Sequence, residues 1–165
     1  MKIAYWLLPI SWMGVIFYAS SQPYEKQDIK PMMAEWLDVS FLEPYLSWIH
    51  FTYHNKEISV DSLGIEQFIE FIIRKGTHVT VFFILMLLFY YAMVMTTRWL
   101  FSARLWVSFL LSVAYAGIDE YHQSFTPNRT AYIGDVIIDS IGAILAGALI
   151  WFIYYVKSQK KMTKT

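Results

Sequence analysis

The sequence predicts an all-α, polytopic membrane protein: a four-helix transmembrane bundle, one domain over residues 1–165, with an extracytoplasmic loop that carries an interfacial amphipathic helix. Three observations predict it. The chain is 57% hydrophobic and 19% aromatic, with only 16% charged residues, against roughly 45–50% apolar and 25% charged in an ordinary soluble domain. Four apolar stretches approach the roughly 20 residues that cross a bilayer. Seven of the thirteen basic residues lie at one end of those stretches with no acid, and all thirteen acids lie at the other with the remaining six. The composition argues against a disordered chain, a nucleic-acid binder and a soluble enzyme of average composition. The absence of Cys excludes disulfides, thiolate metal sites and cysteine nucleophiles. With a net charge of zero, no global field selects an anionic partner.

The first span covers about 3–19 and is interrupted only by Pro9, Ser11 and Gly14. Lys2 before it and Tyr18-Ala19-Ser20 after it give it the look of a signal peptide. The run is longer than the usual core of roughly 7–15 residues and bulky to its end, so it reads as retained. An outer loop spans 20–76. Trp36, Phe41, Tyr45, Trp48, Phe51 and Tyr53 suit a membrane–water interface, and Pro23, Pro31 and Pro44 break the loop into short pieces. His50 and His54 read as surface or interfacial residues. From Asp61-Ser62 a helical pattern begins, with Ile65, Phe68, Phe71 and Ile72 on one side and Glu66 and Glu70 on the other. It reads as an interfacial lead-in to the second span, with an ordinary solvated helix as the alternative; Gly76 is its weak point.

The second span covers about 77–97. Phe82–Met95 offers no polar face, which tells against a soluble helical protein. The third, about 102–118, reaches spanning length only if Arg104 snorkels to the interface. The fourth, about 136–156, carries Asp139 near its start, and its Gly142/Ala146 and Ala143/Gly147 pairs suit close helix packing. Residues 157–165 form a polar tail. Threading these spans puts Lys2, Arg98, Arg104, Lys157, Lys160, Lys161 and Lys164 on one side with no acid, and all thirteen Asp and Glu on the other. The positive-inside rule then places both termini in the cytoplasm of a cell-membrane protein, although Lys26, Lys30, Arg74, Lys75 and Arg129 oppose the bias.

The polar residues converge at one predicted depth. Arg74, Lys75 and His78 open the second span; Asp119, Glu120, His122, Gln123 and Arg129 close the third; Asp135 and Asp139 open the fourth. Lys75 and His78 share a face, Ser108, Ser112, Tyr115 and Asp119 form a stripe, and Asp135, Asp139, Gly142 and Ala146 form another. An ionisable group inside a span costs about 2.5–3.5 kcal/mol on insertion scales, so such groups face the bundle and find partners. The cluster either locks helix register or lines a wet pocket open to the outside. Its size favours the pocket.

The same residues resemble the VanZ-like family of small bacterial membrane proteins. The resemblance covers nearly the whole chain. It rests on Ser20-Ser21-Gln22, on Arg74-Lys75-Gly76-Thr77-His78, and most strongly on the run from Asp119-Glu120-Tyr121-His122-Gln123-Ser124-Phe125 through Thr126-Pro127-Asn128-Arg129, followed by Asp135, Asp139 and Gly142. The sequence departs from the family pattern at Thr77, Val79 and Phe82, where members often carry Ala, an aromatic residue and Tyr. No hydroxyl role is therefore expected at Phe82. The resemblance implies a multi-pass membrane protein of Gram-positive type whose namesake is associated with resistance to teicoplanin-like, lipid-tailed glycopeptides.

Four functional readings follow. In the first, Arg74, Lys75 and Arg129 hold a phosphate or carboxylate of a lipid-linked or cell-wall molecule, or of a lipoglycopeptide, and the acids orient those cations. In the second, the chain is an intramembrane hydrolase or transferase in which His122 or His78, oriented by Asp119 or Asp139, acts as nucleophile or general base. In the third, Asp119-x-x-His122 with Glu120, His78 and Asp139 holds a metal; most such pairs are hydrogen bonds, and neither metal nor cofactor is expected. In the fourth, the chain is a scaffold with no ligand. Membrane lipids are the expected partners in every case, and nucleic acid in none.

Overall fold

A computed structural model describes residues 2–23, 26–31, 35, 38–127, 129 and 131–162. Trp36, Asn128, Lys164 and the side chain of Lys161 lie outside the described residues. The described residues are 78% helical, and among them four helices are long and apolar enough to cross a membrane.

The first of these begins as a tight 3-10 helix over Lys2–Trp6 and continues as an α-helix over Leu7–Ser20. Pro9 is tolerated because it sits in the first turn, where backbone N–H groups have no partner within the helix. The second helix, Ile65–Thr96, is much longer than the predicted span. At about 48 Å it exceeds a hydrocarbon core of about 30 Å, so its first turns stand clear of the other spans. The third helix runs Phe101–Gln123 and the fourth Ile133–Met162. The third therefore absorbs Asp119–Gln123, which the sequence reading placed just beyond it. Asp119, Glu120 and Gln123 are buried there, each with at least one hydrogen-bond partner.

Two features correct the reading of the outer loop. His50–Tyr53 and Lys56–Ser59 form an antiparallel hairpin, with Phe51 opposite Ile58 and Tyr53 opposite Lys56. Its turn residues His54 and Asn55 both take positive φ, at 50° and 58°, as a hairpin turn of matching twist requires. The helical pattern from Asp61-Ser62 is also interrupted. Ser59 caps a short helix, Val60–Leu63, by accepting the backbone N–H of Ser62 at 3.1 Å. Gly64 then breaks the helix at φ 80°, ψ 157°, a conformation that side chains disfavour. The weak point is Gly64, and Gly76 is regular helix. The apolar side of the lead-in is covered in part by the protein itself: Phe68 is buried with Ile58 and Val60, and Ile65 and Phe71 pack beside them, while Ile72 stays exposed. Phe41, Tyr45 and Trp48 remain exposed.

The second helix is the hub. Its Phe82, Leu85 and Phe89 pack with Ile16 of the first helix and Tyr115 and Ala116 of the third. Its Met86 packs with Ala143, Ala146 and Ile150 of the fourth. Trp12 donates to the Val81 carbonyl at 2.9 Å, and Tyr115 donates to the Met13 carbonyl at 2.6 Å. Contact is closest at Gly142. A Cβ there would lie 2.1 Å from the carbonyl oxygen of Val79 and 3.0 Å from the amide nitrogen of Phe83. At Gly147 the nearest neighbour is the flexible tip of Met86, at 3.7 Å.

Gly142→Ala should therefore force the second and fourth helices apart, costing about 2 kcal/mol or more by overpacking, whereas Gly147→Ala should be nearly neutral. Thermal unfolding of both variants in detergent checks the contrast.

Candidate functional site

Close approach at Gly142 sets two polar rungs directly above it. Lys75 pairs with Asp135, and one turn deeper His78 Nδ1 lies 3.0 Å from Asp139 Oδ1. The rungs form because Lys75 and His78 are three apart on one helix face while Asp135 and Asp139 are four apart on the other. The hairpin closes the upper rung: the Tyr53 hydroxyl donates to Asp135, and its ring lies 4.5 Å from the Lys75 ammonium. Burial and that carboxylate push the Tyr53 hydroxyl well above the ordinary tyrosine range, so it remains a donor. Tyr132 stacks on His54 at 4.4 Å and meets Tyr53 edge-on at 5.0 Å, tying the connection between the third and fourth helices to the hairpin. Its backbone N–H donates to buried Glu120 at 2.6 Å.

A second group of polar residues lies toward the first helix. Asp119, 1% exposed, accepts from the Ser20 hydroxyl at 2.8 Å and from the Gln123 amide at 2.9 Å, both through Oδ2. Its Oδ1 is buried and has no hydrogen-bond partner among the described residues. The other end of Gln123 accepts from Arg129 at 2.8 Å, and Gln27 accepts from the same guanidinium. Gln123 thus stands between a buried cation and a buried anion. Burial and, next, the Arg74 guanidinium hold the Arg129 pKa below its ordinary value. Arg74 pairs with Glu70 at 2.7 Å, and Lys30 reaches Glu70 at 3.8 Å.

These residues surround a cavity of about 270 Å³ between the first three helices. Ser20, Gln27, Glu70, Arg74, His78, Asp119 and Arg129 form its polar end. Ile16, Val81 and Phe82 form an apolar wall, and Val15, Ala19, Ile73 and Thr77 line it from exposed positions on the first and second helices. These exposed positions put the cavity's open side between the first and second helices.

The structure divides the residues singled out in the sequence. Arg74, His78, Asp119 and Arg129 line the cavity, with Gln123 directly behind two of them. Lys75 and Asp135 are consumed by each other beside the hairpin, and Asp139 reaches the cavity only through His78. Glu120 is buried against Tyr132. His122 turns away and stacks on Phe17 with ring centroids 3.8 Å apart, so it and Asp119 do not form a ligand pair. Among the described residues no group of three or more His, Asp or Glu side chains converges to hold a metal. Glu70 and Gln27 were missed. Glu70 lay on the polar side of the amphipathic pattern, yet it is only 3% exposed because Lys30 and Arg74 close over it.

A family model described as VanZ/LLP1 matches residues 5–155. The chain belongs to the VanZ/LLP1 family. No curated protein and no solved structure matches it. The segments that carried the resemblance meet at the polar end of this VanZ/LLP1 bundle: Ser20 on Asp119, the Thr126 hydroxyl on the Ser20 carbonyl at 3.3 Å, and His78 on Asp139.

Lys75→Met leaves the Asp135 charge with Tyr53 as its hydrogen-bond donor and should cost about 2 kcal/mol; neutralising both partners in Lys75→Met/Asp135→Asn should recover most of the loss. A double-mutant cycle of melting temperatures checks it.

Proposed function

We propose that this VanZ/LLP1 protein binds a membrane amphiphile with an anionic headgroup, a lipid-linked or cell-wall-related molecule, in the cavity between its first three helices. The observation that carries the reading is the cavity's polarity: charged and polar groups at one end, apolar walls, and a mouth on the flank of two spanning helices. Its volume of about 270 Å³ suits a headgroup and not a whole lipid. The chains would then lie along Val15, Ala19 and Ile73 in the bilayer. Arg129 supplies the attraction. It is a desolvated cation whose two side-chain hydrogen-bond partners among the described residues, Gln123 and Gln27, are neutral; Arg74 disfavours its charge, while Asp119, Glu120 and Asp135 favour it from further off. An anion between two guanidinium groups relieves that repulsion and accepts forked hydrogen bonds.

The proposed orientation puts this polar end outside the cell, since the opposite end carries Lys2, Arg98, Arg104 and the Lys157–Lys160 tail without an acid. A protein that holds anionic envelope lipids at the outer leaflet would alter how lipid-tailed glycopeptides reach their targets. That connects this reading with the resistance associated with the family's namesake.

Arg129→Ala should weaken binding of an anionic lipid by roughly thirtyfold, the equivalent of about 2 kcal/mol for one charge-assisted contact. Titration of purified protein in nanodiscs with phosphatidic acid and with phosphatidylcholine measures this; equal affinity for the two lipids removes the anion from the reading. Ala19→Trp, at the exposed mouth, should slow lipid uptake while leaving the melting temperature unchanged. In a strain where the wild-type chain raises teicoplanin tolerance, Arg129→Ala at normal abundance should abolish the increase.

A further inference from the structure

The cavity holds more than a binding site requires. Resting on the reading above, we propose that His78 and Asp139 form a proton-transferring dyad at the cavity wall, and that the protein hydrolyses phosphate esters or diphosphates of membrane amphiphiles there.

The geometry has three parts. Asp139 is 1% exposed, and one of its oxygens lies 3.0 Å from His78 Nδ1. A carboxylate in that position takes the Nδ1–H bond, fixes the tautomer and leaves Nε2 as the basic nitrogen. His78 itself lines the cavity, and its Nε2 has no hydrogen-bond partner among the described residues. The second part is the pair Arg74 and Arg129 in the same cavity. Two guanidinium groups suit a phosphoryl group, whose charge spreads over several oxygens, better than a neutral carboxylic ester. The third is Asp119. Its Oδ2 is occupied by Ser20 and Gln123, while Oδ1 is shut off from water and has no hydrogen-bond partner among the described residues, so Asp119 stands as a fixed carboxylate at the cavity wall beside His78.

Together these groups activate water. A water molecule in the cavity gives one O–H to His78 Nε2. As its oxygen bonds to phosphorus, His78 takes the proton. The P–O bond to the leaving group, a lipid alkoxide or lipid phosphate on the far side of phosphorus, breaks; the leaving oxygen takes a proton from water, and His78 returns its own to solvent. One water is consumed, and inorganic phosphate and a lipid alcohol or monophosphate are released. Ser20 is not the nucleophile, since its hydroxyl is committed to Asp119, and His122 takes no part, since it stacks on Phe17.

The test uses the purified full chain in nanodiscs, with dioleoylphosphatidic acid in one arm and farnesyl diphosphate in the other, and measures phosphate release and lipid binding separately. Release from one probe identifies the headgroup source. His78→Asn, which keeps an amide donor for Asp139, should lower kcat by about 10²–10⁴-fold while binding persists. His78→Gly should regain turnover with added imidazole. Asp139→Asn, at a positioning residue, should lower kcat by about tenfold or more with KM unchanged, and Asp139→Glu should restore part of it. Binding that depends on Arg129 without release from either probe overturns the dyad and leaves the binding reading standing. Undiminished release by His78→Asn also overturns it. Failure of both binding and release removes the two readings together.

Discussion

The arrangement depends on one close approach, where the fourth helix presents a bare backbone to the second. Gly142 meets the Val79 carbonyl at a distance that admits no side chain, and Ala143 and Ala146 continue the contact downward. In a bilayer, helices gain little from excluding apolar surface, because lipid tails are as apolar as Leu. Close packing and polar contacts must carry the association. Here they reinforce each other: backbones that touch at Gly142 bring Asp139 and Asp135 within reach of His78 and Lys75 one and two turns above. A wider spacing would leave four ionisable side chains facing one another across a gap.

That contact also divides the charges by direction. Toward the fourth helix they are closed pairs, capped by the hairpin and Tyr53. Toward the first helix they are separated, with Gln123 between Asp119 and Arg129 and a cavity in front. A direct salt bridge would have neutralised both groups. An amide between them satisfies one site on each, and among the described residues Arg129 Nε and Asp119 Oδ1 have no hydrogen-bond partner. His78 belongs to both halves, with one ring nitrogen in the ladder and its ring at the cavity.

The four spans were legible because lipid exposure writes long apolar runs into a sequence. Helical spacing also revealed that Asp119, His78 and Asp139 share a level. Their partners were less legible. Lys75 and Arg74 are adjacent, and no pattern along the chain says that one faces the fourth helix and the other the cavity. Glu70 was unreadable as a buried group because Lys30, forty residues earlier, helps close over it. The hairpin escaped notice because its turn, His54-Asn55, lacks the glycine that usually marks two consecutive positive φ values. His122 was drawn into the site by its proximity in sequence to Asp119, whereas three residues of helix carried its ring to Phe17.

The stretched opening of the first helix makes this protein a gauge of its surroundings. Five residues of 3-10 helix followed by fourteen of α-helix reach about 31 Å, barely the depth of a typical hydrocarbon core. The second and fourth, at about 48 and 45 Å, have turns to spare and can lean, and the third, at about 35 Å, has just under one. The first has no such slack, and its last residue, Ser20, is the one that holds Asp119. In a thicker, sterol-like bilayer, hydrophobic mismatch would draw this shortest member out of register with its neighbours. The polar chamber would then loosen on the side where its mouth lies.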